Sequence, residues 1–114
     1  MNPPEQVAAA LAYANEVRCK SAAQRREIAA LPRAEGHRRV AELFRNPSQP
    51  AGVLPLHRAL TAIDRIAAGK VRSYVRHAQV NPARIGVRVN ALTEREREAM
   101  ADYLERKADW IERA

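Results

Sequence analysis

Apolar side chains recur every three or four residues along most of the chain, and prolines and glycines interrupt this pattern at a few points. Such spacing is typical of amphipathic α-helices, whereas a strand buried on one face alternates every second residue. No segment alternates convincingly as a strand. The sequence therefore predicts an all-α fold of about five helices. A long first helix begins near Pro3 and ends before Pro32, and its stripe contains Val7, Leu11, Ala14, Val17, Ser21, Ile28 and Leu31.

The length of 114 residues fits a single domain. Gly36 predicts a short break after the first helix, and residues 37–45 predict a brief second helix. Residues 46–52 read NPSQPAG, a composition that favours a loop. Within one domain we therefore predict an N-terminal helical arm (residues 1–46), a linker loop (residues 47–54) and a compact core (residues 55–114).

The predicted core contains two turns between short helices. A helix beginning near Pro55 continues to Ile66 and ends at residues 67–69, with Gly69 in a left-handed or tight turn. Lys70 then opens a helix whose inner face is Val71, Tyr74, Val75 and Ala78. After a break at residues 81–92, a T-x-x-E capping box starts the last helix. That box is Thr93 with Glu96, and the helix is expected to bury Met100, Leu104 and Ile111.

Positive charge is concentrated around these two turns. The net charge is +7, and residues 53–92 carry seven Lys or Arg but one acidic residue, Asp64. Residues 93–114 carry five Lys or Arg and seven Asp or Glu. A basic surface of this kind indicates a polyanionic partner, with a solvated basic surface as the alternative. The basic residues of the first helix avoid its apolar stripe: Arg18, Lys20, Arg25 and Arg26. They are interpreted as a solvated face, with direct contact to the polyanion as the alternative.

A Gly-Lys turn that enters a helix presents backbone N–H groups beside a cation, which is a phosphate-binding arrangement. We predict that the N–H groups of Gly69, Lys70 and Val71 hold one phosphate. A second basic loop nearby favours the backbone of a nucleic-acid duplex over a single small phosphate. The side chains expected to add contacts are Lys70, Arg72, Arg76, Arg84 and Arg88.

The two turns also carry a family resemblance. Residues 67–72 read AAGKVR, residues 83–92 read ARIGVRVNAL, and residues 93–97 read TERER. The stretch from about residue 56 to residue 104 resembles the actinobacterial integration host factor family, and residues 5–31 and 36–46 look like that family's first two helices. The family pattern has Pro-Gly where this chain has Ala67-Ala68, and paired arginines where this chain has Arg84 and Arg88. These departures are typical of a divergent member, for example one encoded by a phage.

The resemblance implies a helix–two-turn–helix motif that grips phosphates by shape, with little reading of bases. It implies a nucleoid-associated protein of the bacterial cytoplasm that compacts or bends double-stranded DNA and assists an integrase. A second contact surface for bending would come from the long first helix or from a second copy of the chain. Two alternatives stay open: a regulatory factor that docks on an integrase or polymerase, and an RNA-binding protein.

Other chemistry is less well supported. Cys19 is the sole cysteine, and His37, His57 and His77 lack the spacing of a helical metal site, so we expect no metal. The histidines are interpreted as surface or capping residues. The carboxylates of the last helix alternate with basic residues, as on a solvated helix face. We therefore expect neither an enzyme nor a cofactor, and no apolar run is long enough for a membrane span.

Overall fold

The computed structural model describes residues 3–114 and confirms an all-α fold with a long N-terminal helix. Within this range there are five α-helices and no strand. Short 3₁₀ turns lie at Pro50–Val53, Pro82–Arg84 and Val89–Ala91. The helices are α1 (Pro4–Ala30), α2 (Arg33–Arg45), α3 (Leu56–Thr61), α4 (Ala68–His77) and α5 (Glu94–Arg113).

The long first helix is packed over only part of its length. Its predicted start and end are confirmed, because Pro4 lies in the first turn and Leu31 leaves the helix in an extended conformation before Pro32. Residues 3–13 are all exposed. The apolar stripe of the first helix is therefore not buried at Val7 and Leu11, whose exposed fractions are 46% and 60%. The buried residues of α1 all lie in its C-terminal half: Ser21, Gln24 and Ile28.

The predicted break at Gly36 is also wrong, because Gly36 lies inside α2 and is buried. A Cβ atom at this position would stand 3.3 Å from Cγ2 of Ile63. The glycine is thus a point of close packing between α2 and the chain after α3, and helix α2 continues through it. Helices α2 and α5 pack against each other along the centre of the fold, and their core side chains include Val40, Leu43, Phe44, Met100 and Leu104.

The segment 47–54, predicted as a linker, folds against the C-terminal half of α1. The side chain of Gln24 spans the contact: its Nε2 donates to Oε1 of Gln49 at 2.7 Å, and its Oε1 accepts from the N–H of Ala51 at 2.6 Å. Gly52 is buried, and a Cβ atom there would lie 1.9 Å from the carbonyl oxygen of Pro47. This segment is therefore packed against α1 rather than extended as a free linker, and α2 shares one apolar core with the C-terminal helices.

Helix α3 is shorter than predicted and ends at Thr61. Ile63 and Ile66 are buried as expected, but a turn places them there, and the chain reverses through Arg65 with a φ of 66°. The predicted left-handed or tight turn at Gly69 is wrong, because no glycine has a positive φ in residues 3–114 and Gly69 lies within α4. The left-handed residues before and after α4 are instead Arg65 and Gln79.

The two remaining local predictions are confirmed. The inner face of α4 is buried: Val71, Tyr74, Val75 and Ala78. At the start of α5, Oγ1 of Thr93 accepts from the N–H of Glu96 at 3.1 Å, and Oε1 of Glu96 accepts from the N–H of Thr93 at 2.9 Å. Met100 and Leu104 are buried, whereas Ile111 is half-buried. The capping box fixes where α5 begins, directly after the second basic loop.

Candidate nucleic-acid interface

Four of the seven acidic residues of α5 are paired with arginines of α2. Arg38 donates from Nη2 to Oδ1 of Asp109 at 2.9 Å and also binds both carboxylate oxygens of Glu112. Two turns further along α2, Arg45 binds Asp102 at 2.8 Å and Glu105 at 2.6 Å. These pairs are partly exposed and contribute little stability. Their main consequence is electrostatic, since they neutralise the carboxylates that could offset basic residues elsewhere.

The three backbone N–H groups predicted to bind a phosphate at the first turn are not all available. The N–H of Lys70 donates to the carbonyl oxygen of Ala67 at 2.9 Å, and Val71 is turned into the core. The N–H groups of Ala68 and Gly69 are the first two of α4, so they have no acceptor within the helix. Two backbone donors, shifted by one residue from the prediction, are thus available at this helix start.

The basic side chains of α4 lie on two opposite flanks of the helix. Lys70 is in register with Ser73 and His77, and these three residues line a concavity next to α5. Arg72 and Arg76 are four residues apart and exposed, and helical geometry puts them on the other flank. One small phosphate cannot contact both sets of side chains.

In the second loop, Arg84 already has a partner. Its Nε donates to Oε2 of Glu96 at 3.0 Å, and its Nη2 donates to Oε1 at 3.2 Å. Glu96 is the capping-box carboxylate, and the bond from Arg84 is the main reason why its pKa lies below the ordinary value. Contact between Arg84 and a phosphate would compete with this pair, so Arg84 is better placed to support the start of α5.

Arg88 lies in a groove that the sequence analysis did not anticipate. The groove has a volume of about 630 Å³ and runs between α1 and the chain around Pro55. The second loop is fixed beside it by bonds from the N–H of Leu56 to the carbonyl of Val87 and from the N–H of Val89 to the carbonyl of Leu54, both 2.9 Å. We call it the arginine groove, because four arginines line it: Arg18, Arg25, Arg58 and Arg88.

None of these four arginines forms an ion pair within residues 3–114. Arg18 and Arg25 are seven residues apart on α1, so they project from one side of the helix about 10 Å apart along its axis. That seven-residue spacing was the one feature of the sequence that indicated a shared basic surface on α1. It was interpreted as a solvated face, because a sequence does not show which segment lies opposite α1.

The three histidines have separate structural environments. His37 is buried, contrary to its interpretation as a surface or capping residue: Nδ1 donates to the carbonyl of Arg33 at 2.7 Å, and Nε2 accepts from the hydroxyl of Tyr74 at 2.6 Å. His57 bonds to the carbonyl of Ile85 at 2.9 Å, and His77 is exposed. Within the described part of the chain, no three candidate ligands cluster as a metal site would require.

Comparison of the chain with protein-family models, with curated proteins and with solved structures finds no match. The resemblance to the actinobacterial integration host factor family therefore stays a prediction from the two turns. Across residues 3–114, every helix is too short or too polar to cross a lipid bilayer.

Proposed function

We propose that this protein binds double-stranded DNA with little sequence preference and acts as an architectural protein of the bacterial nucleoid. The observation that carries the proposal is the arginine groove: four arginines line one surface, and none of them has a carboxylate partner in residues 3–114. Arginine binds phosphate oxygens through paired N–H groups, and such contacts position a duplex without reading its bases.

The arginine groove would hold one stretch of the sugar-phosphate backbone. Arg72 and Arg76 on the outer flank of α4 supply a second basic contact, which bending of a duplex requires. Contacts from Gly69, Lys70, Val71 and Arg84 stay a prediction from the two basic turns of the sequence. The role is binding rather than catalysis, its setting is the cytoplasm, and an integrase or a second copy of the chain is a further partner.

The salt dependence of binding to unrelated duplexes tests this proposal. If about four phosphates are neutralised, log affinity falls against log salt with a slope of roughly −3 to −4. The double variant Arg18→Gln/Arg88→Gln should make the slope shallower by about two units, because two phosphate contacts are lost. A gel shift across a salt series measures both slopes.

The matched control is Arg38→Gln/Arg45→Gln, which removes the same charge from arginines that already have acidic partners. It should change the slope by less than one unit. Equal slopes for the two double variants would exclude the arginine groove as the interface, and a preference for one of several unrelated duplexes would indicate a specific regulator instead.

A protein-docking role is the second candidate, and the exposed apolar residues of α1 favour it. Val7, Leu11 and Tyr13 are 46%, 60% and 70% exposed, on a part of α1 where residues 3–13 are all exposed. A nearly flat salt response would support docking over DNA binding. Tighter binding of duplex RNA than of duplex DNA would support the RNA-binding alternative.

A further inference from the structure

Lys70 belongs to a second basic surface, which lies between α4 and α5. A concavity of about 450 Å³ is bounded by Lys70, Ser73, Tyr74 and His77 of α4 and by residues of α5. The α5 residues follow helical spacing, so they form one face: Tyr103, Arg106, Lys107 and Trp110. Its volume is within the range of clefts that hold small ligands, about 300–1,000 Å³. We call it the aromatic cleft.

Flat rings in the aromatic cleft are already arranged for stacking. Tyr103 stacks on His77 with centroids 6.0 Å apart and an interplanar angle of 17°, and it meets Tyr74 edge-on at 5.2 Å. Trp110 is 58% exposed, although tryptophan is usually among the more buried residues. Tyr103 and Trp110 are seven residues apart, or about 10 Å along α5, so the cleft offers two ring surfaces rather than one.

Cations alternate with these rings. Arg33, Lys70, Arg106 and Lys107 line the cleft, no carboxylate lines it, and none of the four forms an ion pair within residues 3–114. Nζ of Lys107 lies 4.5 Å from the ring centre of Trp110. Beneath the cleft, burial lowers the pKa of His37, with smaller contributions from the charges of Arg33, Lys107 and Lys70. The surface thus combines uncompensated positive charge with exposed rings.

We propose that the aromatic cleft binds an unpaired nucleotide, with its base stacked on Trp110 and its phosphate held by Lys70 and Arg106. Alternating bases and phosphates are what a surface of alternating rings and cations fits. The nucleotide is either free or part of a single strand. The cleft shares no residue with the arginine groove, so this proposal does not depend on duplex binding there.

Trp110 is the sole tryptophan, and its fluorescence therefore reports directly on the cleft. The full chain is titrated with thymidine 5′-monophosphate and with a thymidine trinucleotide. Thymidine alone and inorganic phosphate alone are titrated as the two halves of the nucleotide. We expect quenching that saturates with the nucleotides and weaker binding of either half. Tighter binding of the trinucleotide identifies a single strand as the source, and equal binding identifies a free nucleotide.

Variants assign the contacts, with affinities measured by calorimetry. Trp110→Ala should weaken trinucleotide binding by at least about fivefold, and Trp110→Phe should retain most of it, because loss of one stacked ring costs about 1–3 kcal/mol per base. Lys70→Gln should weaken binding, whereas Arg72→Gln, on the opposite flank of α4, should not. Arg18→Gln/Arg88→Gln should leave trinucleotide affinity unchanged even if it abolishes duplex binding.

Four results would overturn the proposal. Inorganic phosphate binding as tightly as the nucleotides would make the cleft a simple anion site. Phosphotyrosine binding more tightly than both nucleotides would assign it to a phosphorylated peptide. Equal effects of Lys70→Gln and Arg72→Gln, or no quenching up to millimolar nucleotide, would remove the cleft as a nucleotide site.

Discussion

At the scale of single residues, the least expected feature is a neutral histidine in the core. Nδ1 of His37 must carry the proton, because its partner is a carbonyl oxygen, and Nε2 then accepts from Tyr74. Burial is the main cause of the lowered pKa of His37, since the charged ring would lose its hydration. Gln24 is similar: its buried amide is satisfied by residues 25 and 27 positions away. A sequence does not reveal partners at such separations.

His37 makes stability depend on pH. Its folded pKa lies below the ordinary 6.5, so at intermediate pH the unfolded chain binds a proton that the folded chain does not. Acidification below about pH 6.5 should therefore lower the free energy of unfolding, by no more than about 1.4 kcal/mol per pH unit for one site. Urea denaturation at pH 7, 6 and 5 measures the effect.

The decline should be much smaller in His37→Gln and unchanged in His77→Gln, whose histidine is exposed. Glu96 and Glu112 act in a different range, because their pKa values are lowered from 4.5 and their contribution is lost only as the pH falls below that value. An identical decline in the wild type and in His37→Gln would show that His37 does not titrate in this way.

At the scale of elements, sequence motifs correctly predicted the features that depend on interactions between neighbouring residues. The capping box and the inner face of α4 depend on residues within one or two helical turns, and both are confirmed. The start of α2 and the end of α3 were mispredicted at Gly36 and Ile66. Gly36 stays helical because α2 packs closely on Ile63, and Ile66 is buried from a turn rather than a helix. Tertiary packing therefore determines the conformation of both residues.

The segment between α2 and α3 offers a sharp test of this packing. Gly52→Ala should destabilise the fold by about 3 kcal/mol or more, because the new Cβ would overlap the carbonyl oxygen of Pro47 and the backbone must move. Gly86→Ala is the matched control: nothing lies within 4 Å of its Cβ position and its φ is not positive. Thermal denaturation should show a large loss for Gly52→Ala and almost none for Gly86→Ala. Similar losses would mean that residues 47–54 are not packed as described.

At the scale of the whole molecule, charge and stability are both unevenly distributed. Composition predicted the basic excess. It did not predict how that charge is divided between the arginine groove and the aromatic cleft, because the division depends on which segments lie opposite α1 and α4. Of the predicted contact residues, Lys70 and Arg88 lie on different surfaces and Arg84 is paired with Glu96. The sequence therefore predicted the basic character of the candidate site, but only part of the arrangement of its side chains.

Stability should fall off along α1. Residues 21–30 contain its buried side chains, whereas residues 3–13 are exposed, and an isolated helix of that length is marginal in water. Amide hydrogen exchange should therefore give opening free energies near zero for residues 7–13 and much higher values, up to that of global unfolding, near Ile28. Val40 in α2 serves as the fully packed reference. Uniform protection along α1 would reveal a partner, such as a second copy, covering its first half.

The length of α1 also determines how the molecule rotates in solution. Its 27 residues extend about 40 Å, and the protein measures 57 × 28 × 23 Å, so α1 is too long to lie across the two short dimensions and must extend along the longest one. An elongated body turns end over end more slowly than it spins about its long axis. Because N–H bonds in a helix are nearly parallel to the helix axis, the packed half of α1 reports the slow rotation. Its ¹⁵N transverse relaxation should accordingly be the fastest among the well-ordered helices.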